Sequence, residues 1–265
     1  MNLTHEQMAT IEQEQKQTYF KSTFGFVNEH NGFRPGCIHV LLGSTGCGKS
    51  TLARKLALDC CQDQKALLWL SEDPEDVISY QLYKNTARKE SLENLKIISE
   101  LDTFWYKEDG YKELIEQFED KVIRYDPKIV IIDNITTSSM YQDGIRPEGQ
   151  DWVSKRLRRF AATMHIPIVI LAHTTKGIME NYHRLIGVDD IRGSAIMTNT
   201  AQYAYTFQKM YGNGKHFPFI VIHKSRYHEV KNKYFGLIFE KGEYIQDKTI
   251  EWKVISEAFT NRDKF

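Results

Sequence analysis

Apolar and polar positions fall in alternating blocks along the chain. The runs "CIHVLLG" (37–43), "ALLWLS" (66–71), "LKIIS" (95–99), "KIVIIDN" (128–134) and "IPIVILAH" (166–173) are apolar at nearly every position. Such runs read as strands buried on both faces. Between them, "KSTLARKLALDCC" (49–61), "EDVISYQLYKNTARK" (75–89) and "GYKELIEQFEDKVIRY" (110–125) read as helices. Segment 150–165 places Val153, Leu157, Phe160, Ala161 and Met164 on one helical face, with Lys155, Arg156, Arg158 and Arg159 taking much of the rest as a solvated surface. Strand, helix, strand in repetition predicts an α/β fold: a central, mostly parallel sheet with helices on both faces. After residue 200 the runs shorten, at "AQYAYTFQK" (201–209), "FPFIVIHKS" (217–225), "YFGLIFEK" (234–241) and "TIEWKVI" (249–255). These predict an antiparallel C-terminal extension of the same sheet. The expected organisation is a polar helical segment over 1–22, a candidate subunit-docking arm, followed by one domain over 23–265.

Composition narrows the field. The 265 residues carry 35 Lys+Arg against 35 Asp+Glu, so any polyanion must be met by a local patch and not by net charge. The four cysteines, Cys37, Cys47, Cys60 and Cys61, form no C-x-x-C pair. Neither a disulfide framework nor a zinc site is expected of them. No apolar stretch approaches the ~20 residues of a membrane span, and the N-terminus lacks a signal-peptide layout. The expectation is a cytoplasmic protein without a membrane partner.

The chemistry begins at "LLGSTGCGKSTL". Gly43-x-x-x-x-Gly48-Lys49-Ser50 matches the phosphate loop, between a predicted strand and a predicted helix as the motif requires. Backbone N–H groups of Gly43, Ser44, Thr45, Gly46, Cys47, Gly48, Lys49, Ser50 and Thr51 can converge on phosphates, helped by the positive end of the helix. Lys49 reaches the terminal phosphates and the Ser50 hydroxyl ligates Mg²⁺. The loop is expected to bind ATP or another nucleoside triphosphate.

Asp133 ends a buried strand, where open α/β sheets place their ligands, and is the expected second metal ligand. Asn134 follows it, so a "DE" pair is missing and the carboxylate that orients water must come from elsewhere. Glu72, ending the strand after the phosphate-loop helix, is expected beside the loop in the sheet and positioned to polarise water. Asp73 and Glu75 compete for that role.

This ordered set resembles the RecA-type ATPases, above all the DnaB-like, phage primase-helicase and plasmid RepA-type hexameric motors. The resemblance spans about residues 23–245. It includes "TFGFVNEHNGFRPGCIHVLLGSTGCGKST", "RLRRFAATMHIPIVILAHTTK", "DDIRGSAIMTNTAQYAYTF" and "IHKSRYHEVKNKYFGLIFEKGEY". It implies that His173 contacts the γ-phosphate, and that Lys224 and Arg226, two apart on a strand, reach a neighbouring subunit's γ-phosphate. It implies nucleic-acid loops at about 138–150 and 175–191, with Arg146, Lys176, Arg184 and Arg192 as candidate contacts and His183 nearby. The implied activity is NTP hydrolysis in a homo-oligomeric, hexameric ring that moves on single-stranded DNA beside replisome proteins. No zinc-binding, primase or N-terminal collar module is expected. A filament-forming recombination ATPase and a KaiC-like regulatory ring acting on protein partners are the alternatives.

Overall fold

The computed structural model describes residues 4–16, 19, 20, 22–103, 110–141, 146–175, 185–192, 195–212 and 215–248. Five apolar runs form parallel strands: β1 (Ile38–Gly43), β2 (Ala66–Leu70), β3 (Leu95–Ser99), β4 (Ile129–Asp133) and β5 (Ile168–His173). Every residue of β1, β2, β4 and β5 is buried, which is why those runs lack polar alternation. At the edge, β3 exposes Lys96, a charge that discourages further pairing. On the other flank of β1 lies parallel β6 (Tyr203–Gly212), followed by antiparallel β7 (Lys215–Ser225), β8 (Lys233–Glu240) and β9 (Glu243–Gln246). The order is β3-β2-β4-β5-β1-β6-β7-β8-β9. The C-terminal extension is antiparallel as expected; β9 is an additional strand, and the run at 249–255 lies outside the described residues.

The helices are α1 (His5–Lys16), α2 (Gly25–Asn28), α3 (Lys49–Cys60), α4 (Glu75–Asn85), α5 (Glu100–Thr103), α6 (Gly110–Tyr125), α7 (Pro147–Met164) and α8 (Ile196–Thr200). The α4 helix stops short of the expected Lys89. Thr86 is extended there, and its hydroxyl accepts from the Arg88 N–H at 3.3 Å, offering the backbone an alternative to another helical turn.

Successive strand residues face opposite layers. Leu41 packs with Leu52, Leu56 and Ile131 beneath α3, whereas Val40 and Leu42 pack with Phe118, Val153 and Leu157 of α6 and α7. Val153, Leu157, Phe160 and Ala161 of the expected α7 face are buried, with Met164 packed partly against them. Two of the basic residues on this half-exposed face of α7 also make contacts to neighbouring elements. Arg156 donates twice to Glu119, at 2.7 Å each, and Arg158 donates to the Gly36 carbonyl at 2.9 Å. Their planar forks cross-brace α7 to its neighbours. Lys155 and Arg159 stay exposed.

Near the start of β1 sits a buried aromatic cluster. His39 stacks on Tyr203 at 4.4 Å and its Nδ1 meets the Tyr205 hydroxyl at 3.1 Å; His30 Nδ1 meets Ser225 Oγ at 3.2 Å. Burial lowers His30 to about 4 and His39 to about 3, so both rings are neutral at pH 7. Among the described residues, no helix is long and apolar enough to cross a membrane, and all four cysteines are buried free thiols.

Candidate nucleotide site

The carboxyl ends of β1, β2, β4 and β5 lie at one end of the sheet, where the phosphate loop, Glu72, Asp133 and His173 are found. Between β1 and α3 the chain turns through Gly46 and Gly48, both at positive φ; Gly48 is the left-handed N-cap of α3. A Cβ on Gly48 would collide with the hydroxyl of Tyr244, which itself donates to the Cys47 carbonyl at 3.2 Å. The β9 strand therefore closes over the loop, and an ion pair at 3.1 Å from Lys55 to Glu243 fastens it to α3.

Lys49 is buried within the loop. Its ammonium donates to the carbonyls of Gly43 at 2.7 Å and Ser44 at 2.8 Å, and burial lowers its pKa. Ser50 Oγ donates to Asp133 Oδ1 at 3.0 Å, while Asp133 Oδ2 is buried with no hydrogen-bond partner among the described residues. An unpaired, buried carboxylate oxygen beside a hydroxyl is a donor set that suits a hard divalent cation such as Mg²⁺. Without one, burial pushes the Asp133 carboxyl up to about 6, against the pull of Ser50, Arg54 and Lys49.

The expected adjacency of Glu72 to the phosphate loop needs correction. In the sheet, β4 and β5 stand between β2 and β1, because α3 crosses over both before the chain re-enters at β2. Glu72 still reaches the site through Asn134, whose Nδ2 donates to Glu72 Oε1 at 3.1 Å. Of the competing acids, Asp73 is held in an ion pair with Arg54 at 2.6 Å, and Glu75 opens the first turn of α4. Glu72 itself is exposed.

His173 ends β5 opposite Gly43, and its Nε2 lies 3.5 Å from Asn134 Nδ2. Burial first, then the neighbouring Lys49 charge, lowers it to about 4, so the ring is neutral at pH 7. The resemblance groups Arg192 with the nucleic-acid loops, but its backbone N–H donates to the His173 carbonyl at 2.8 Å, which sets it at the rim of this site. Arg146 is exposed at the N-cap of α7. Lys176, His183 and Arg184 lie outside the described residues.

Lys224 and Arg226 are elsewhere. Ser225 pairs with Tyr203, and Tyr203 with His39, so this end of β7 lies beside the start of β1. Gly43 is four residues further along β1 than His39, roughly 13 Å at strand rise. Arg226 is exposed one residue beyond the end of β7, where its N–H still donates across to the Gln202 carbonyl at 3.0 Å. Lys224 is half-buried and donates to the carbonyls of Thr198 and Asn199, each at 3.0 Å, which caps α8.

Several groups at the site carry no signal in the sequence: Ser71, Thr136, Thr137, Arg54 and Tyr244. Asn134 does carry one, by standing where a glutamate is usual.

A family model described as AAA domain matches residues 30–179. No curated protein matches the chain. The match takes in the phosphate loop, Glu72, Asp133 and His173, the elements that build this end of the sheet. The chain belongs to the AAA domain family of P-loop ATPases.

Proposed function

We propose that the chain is a ring-forming DNA motor that hydrolyses ATP in the cytoplasm, moves along single-stranded DNA and unwinds duplex, with replisome proteins as partners. The observation that carries this reading is the separation of Arg226 from its own phosphate loop, with the two at opposite ends of the sheet. An exposed arginine there is unable to reach its own subunit's γ-phosphate, yet it suits the next subunit's site in a ring, most simply a hexamer. Such a finger stabilises the charge that develops on the transferred phosphoryl group.

Within one site the roles divide by geometry. Lys49 and the loop N–H groups hold the β- and γ-phosphates. Ser50 and Asp133 would hold Mg²⁺, which supplies charge neutralisation at the phosphate oxygens. Glu72 takes a proton from the attacking water. The water oxygen bonds to the γ-phosphorus as the bond to the bridging oxygen breaks, leaving ADP and inorganic phosphate. His173, neutral and set between the loop and Arg192, responds to the γ-phosphate. Arg146, Arg192, Lys176 and Arg184 are the proposed contacts to single-stranded DNA, repeated around the ring.

The test is ATP turnover with and without single-stranded DNA, alongside forked-duplex unwinding and the molecular mass across concentration. DNA-stimulated turnover and unwinding in the assembled form are expected. Stimulated filaments without unwinding would point to a recombination-type ATPase. Turnover indifferent to DNA would point to a regulatory ring acting on proteins.

A further inference from the structure

Asn134 is held from several sides at this end of the sheet. Its Oδ1 accepts from Thr136 Oγ1 at 2.7 Å, from the Thr137 N–H at 3.1 Å and from Thr137 Oγ1 at 3.1 Å. Its backbone is clamped as well: the N–H donates to Ser71 Oγ at 3.0 Å, and the same hydroxyl donates to the Asn134 carbonyl at 2.9 Å. The amide orientation is therefore fixed. With Oδ1 saturated by donors, the two N–H bonds of Nδ2 are left for Glu72 and His173, both of which can accept.

The turn it organises runs on into a second anchored stretch. Ser138 Oγ and the Ser139 N–H donate to Glu100 at 2.5 Å and 2.9 Å, and Trp69 Nε1 donates to the same carboxylate at 2.7 Å. Thr136 Oγ1 also accepts from the His173 N–H at 3.2 Å. One connected polar network thus joins the exposed carboxylate of Glu72, the His173 ring and the segment leading away from β4 toward α7.

We propose that Asn134 is a positioning residue for hydrolysis: one amide nitrogen aims the Glu72 carboxylate and ties it to His173 and to the 134–141 segment. A side-chain amide suits this task better than a carboxylate. It donates to Glu72, whereas an acid at this position would repel it. The departure from a "DE" pair is then functional, since the base sits at the end of β2 and the residue after Asp133 serves to hold it.

The inference rests on the reading of Glu72 as the base, and the experiment separates the two. ATP turnover is measured for Asn134→Asp, Asn134→Ala, Glu72→Gln and both double variants, with nucleotide affinity from a fluorescent ATP analogue. Asn134→Asp keeps the oxygen that the threonines use, loses the donor and sets a negative charge against Glu72; Asn134→Ala removes the donor without adding charge. Each single Asn134 variant should lower kcat roughly 10-fold or more, the scale of a misplaced reacting group, with affinity changed less than about 3-fold. In the Glu72→Gln background neither should lower kcat further, because there is no base left to aim. Normal kcat in Asn134→Asp, or losses that add fully to those of Glu72→Gln, would overturn the inference. Should Asn134→Asp fail to fold, the Asn134→Ala cycle decides by the same two outcomes. Full turnover by Glu72→Gln would instead remove the assignment of the base.

Discussion

Ser50 of the phosphate loop donates to Asp133 of β4 at 3.0 Å across 83 residues of sequence, and the second Asp133 oxygen is left buried without a partner among the described residues. Asp133→Asn preserves the shape and removes the charge that a divalent cation needs. The Mg²⁺ concentration for half-maximal ATP turnover should rise about 10-fold or more, a scale typical of disturbed metal sites. An unaltered Mg²⁺ titration would remove Asp133 from the metal site.

Lys49 already engages two loop carbonyls, and the same ammonium is the cation expected at the β- and γ-phosphates. Lys49→Ala should abolish binding of a fluorescent ATP analogue and all turnover, while circular dichroism stays that of a folded chain. Normal turnover by that variant would sink the phosphate-loop assignment.

Glu72→Gln should keep nucleotide affinity and lose hydrolysis by roughly 10²-fold or more, as expected when a general base is removed. Asp73→Asn should have the milder effect, because Asp73 is committed to Arg54. The reverse ranking would transfer the role to Asp73.

Arg226→Ala should bind nucleotide normally and lose much of the catalysis, since arginine fingers contribute about 10³–10⁵ in rate. It should also poison wild-type protein on mixing. Lys49→Ala and Arg226→Ala subunits mixed together should recover some activity, because one interface then joins an intact loop to an intact finger. A monomer with full, concentration-independent turnover that Arg226→Ala leaves untouched contradicts shared sites.

Acid should destabilise the metal-free, nucleotide-free protein. Unfolded, His30 and His39 take up protons near 6.5; folded, they do so only near 4 and 3. Between those values the unfolded chain binds more protons, so their contribution is complete above about 6.5 and falls as pH drops toward 4. His173, lowered to about 4, acts in the same direction. Asp133 acts oppositely, gaining its proton near 6 when folded, so it returns part of the loss between 6 and 3.8. The histidines outweigh it, and urea midpoints should fall steadily from about pH 7 to about pH 5. His39→Gln should flatten the slope; a flat wild-type profile would mean the rings are solvated.

Local pattern along the chain was enough for the elements and the phosphate loop. Strands apolar at every position suit only a sheet covered on both faces. The loop motif lies in the consecutive residues 43–51, so a local pattern is enough to reveal it. Asp133 was legible for the same reason, as a charge at the end of a buried run. The ordering of distant strands, by contrast, came from the packed chain. Pairing depends on which crossover passes over which strand, and no local pattern records that β4 and β5 separate β2 from β1. The same holds for Arg156 and Arg158, which look solvated on a helical wheel but meet Glu119 and the Gly36 carbonyl once α7 packs. Arg226 was readable as a residue type, but its removal from its own phosphate loop follows from β7 running antiparallel beside β6. The Asn134 bridge to Glu72 also arises only on packing, because a side-chain amide gains its partners when two strand ends, 62 residues apart in sequence, are brought together.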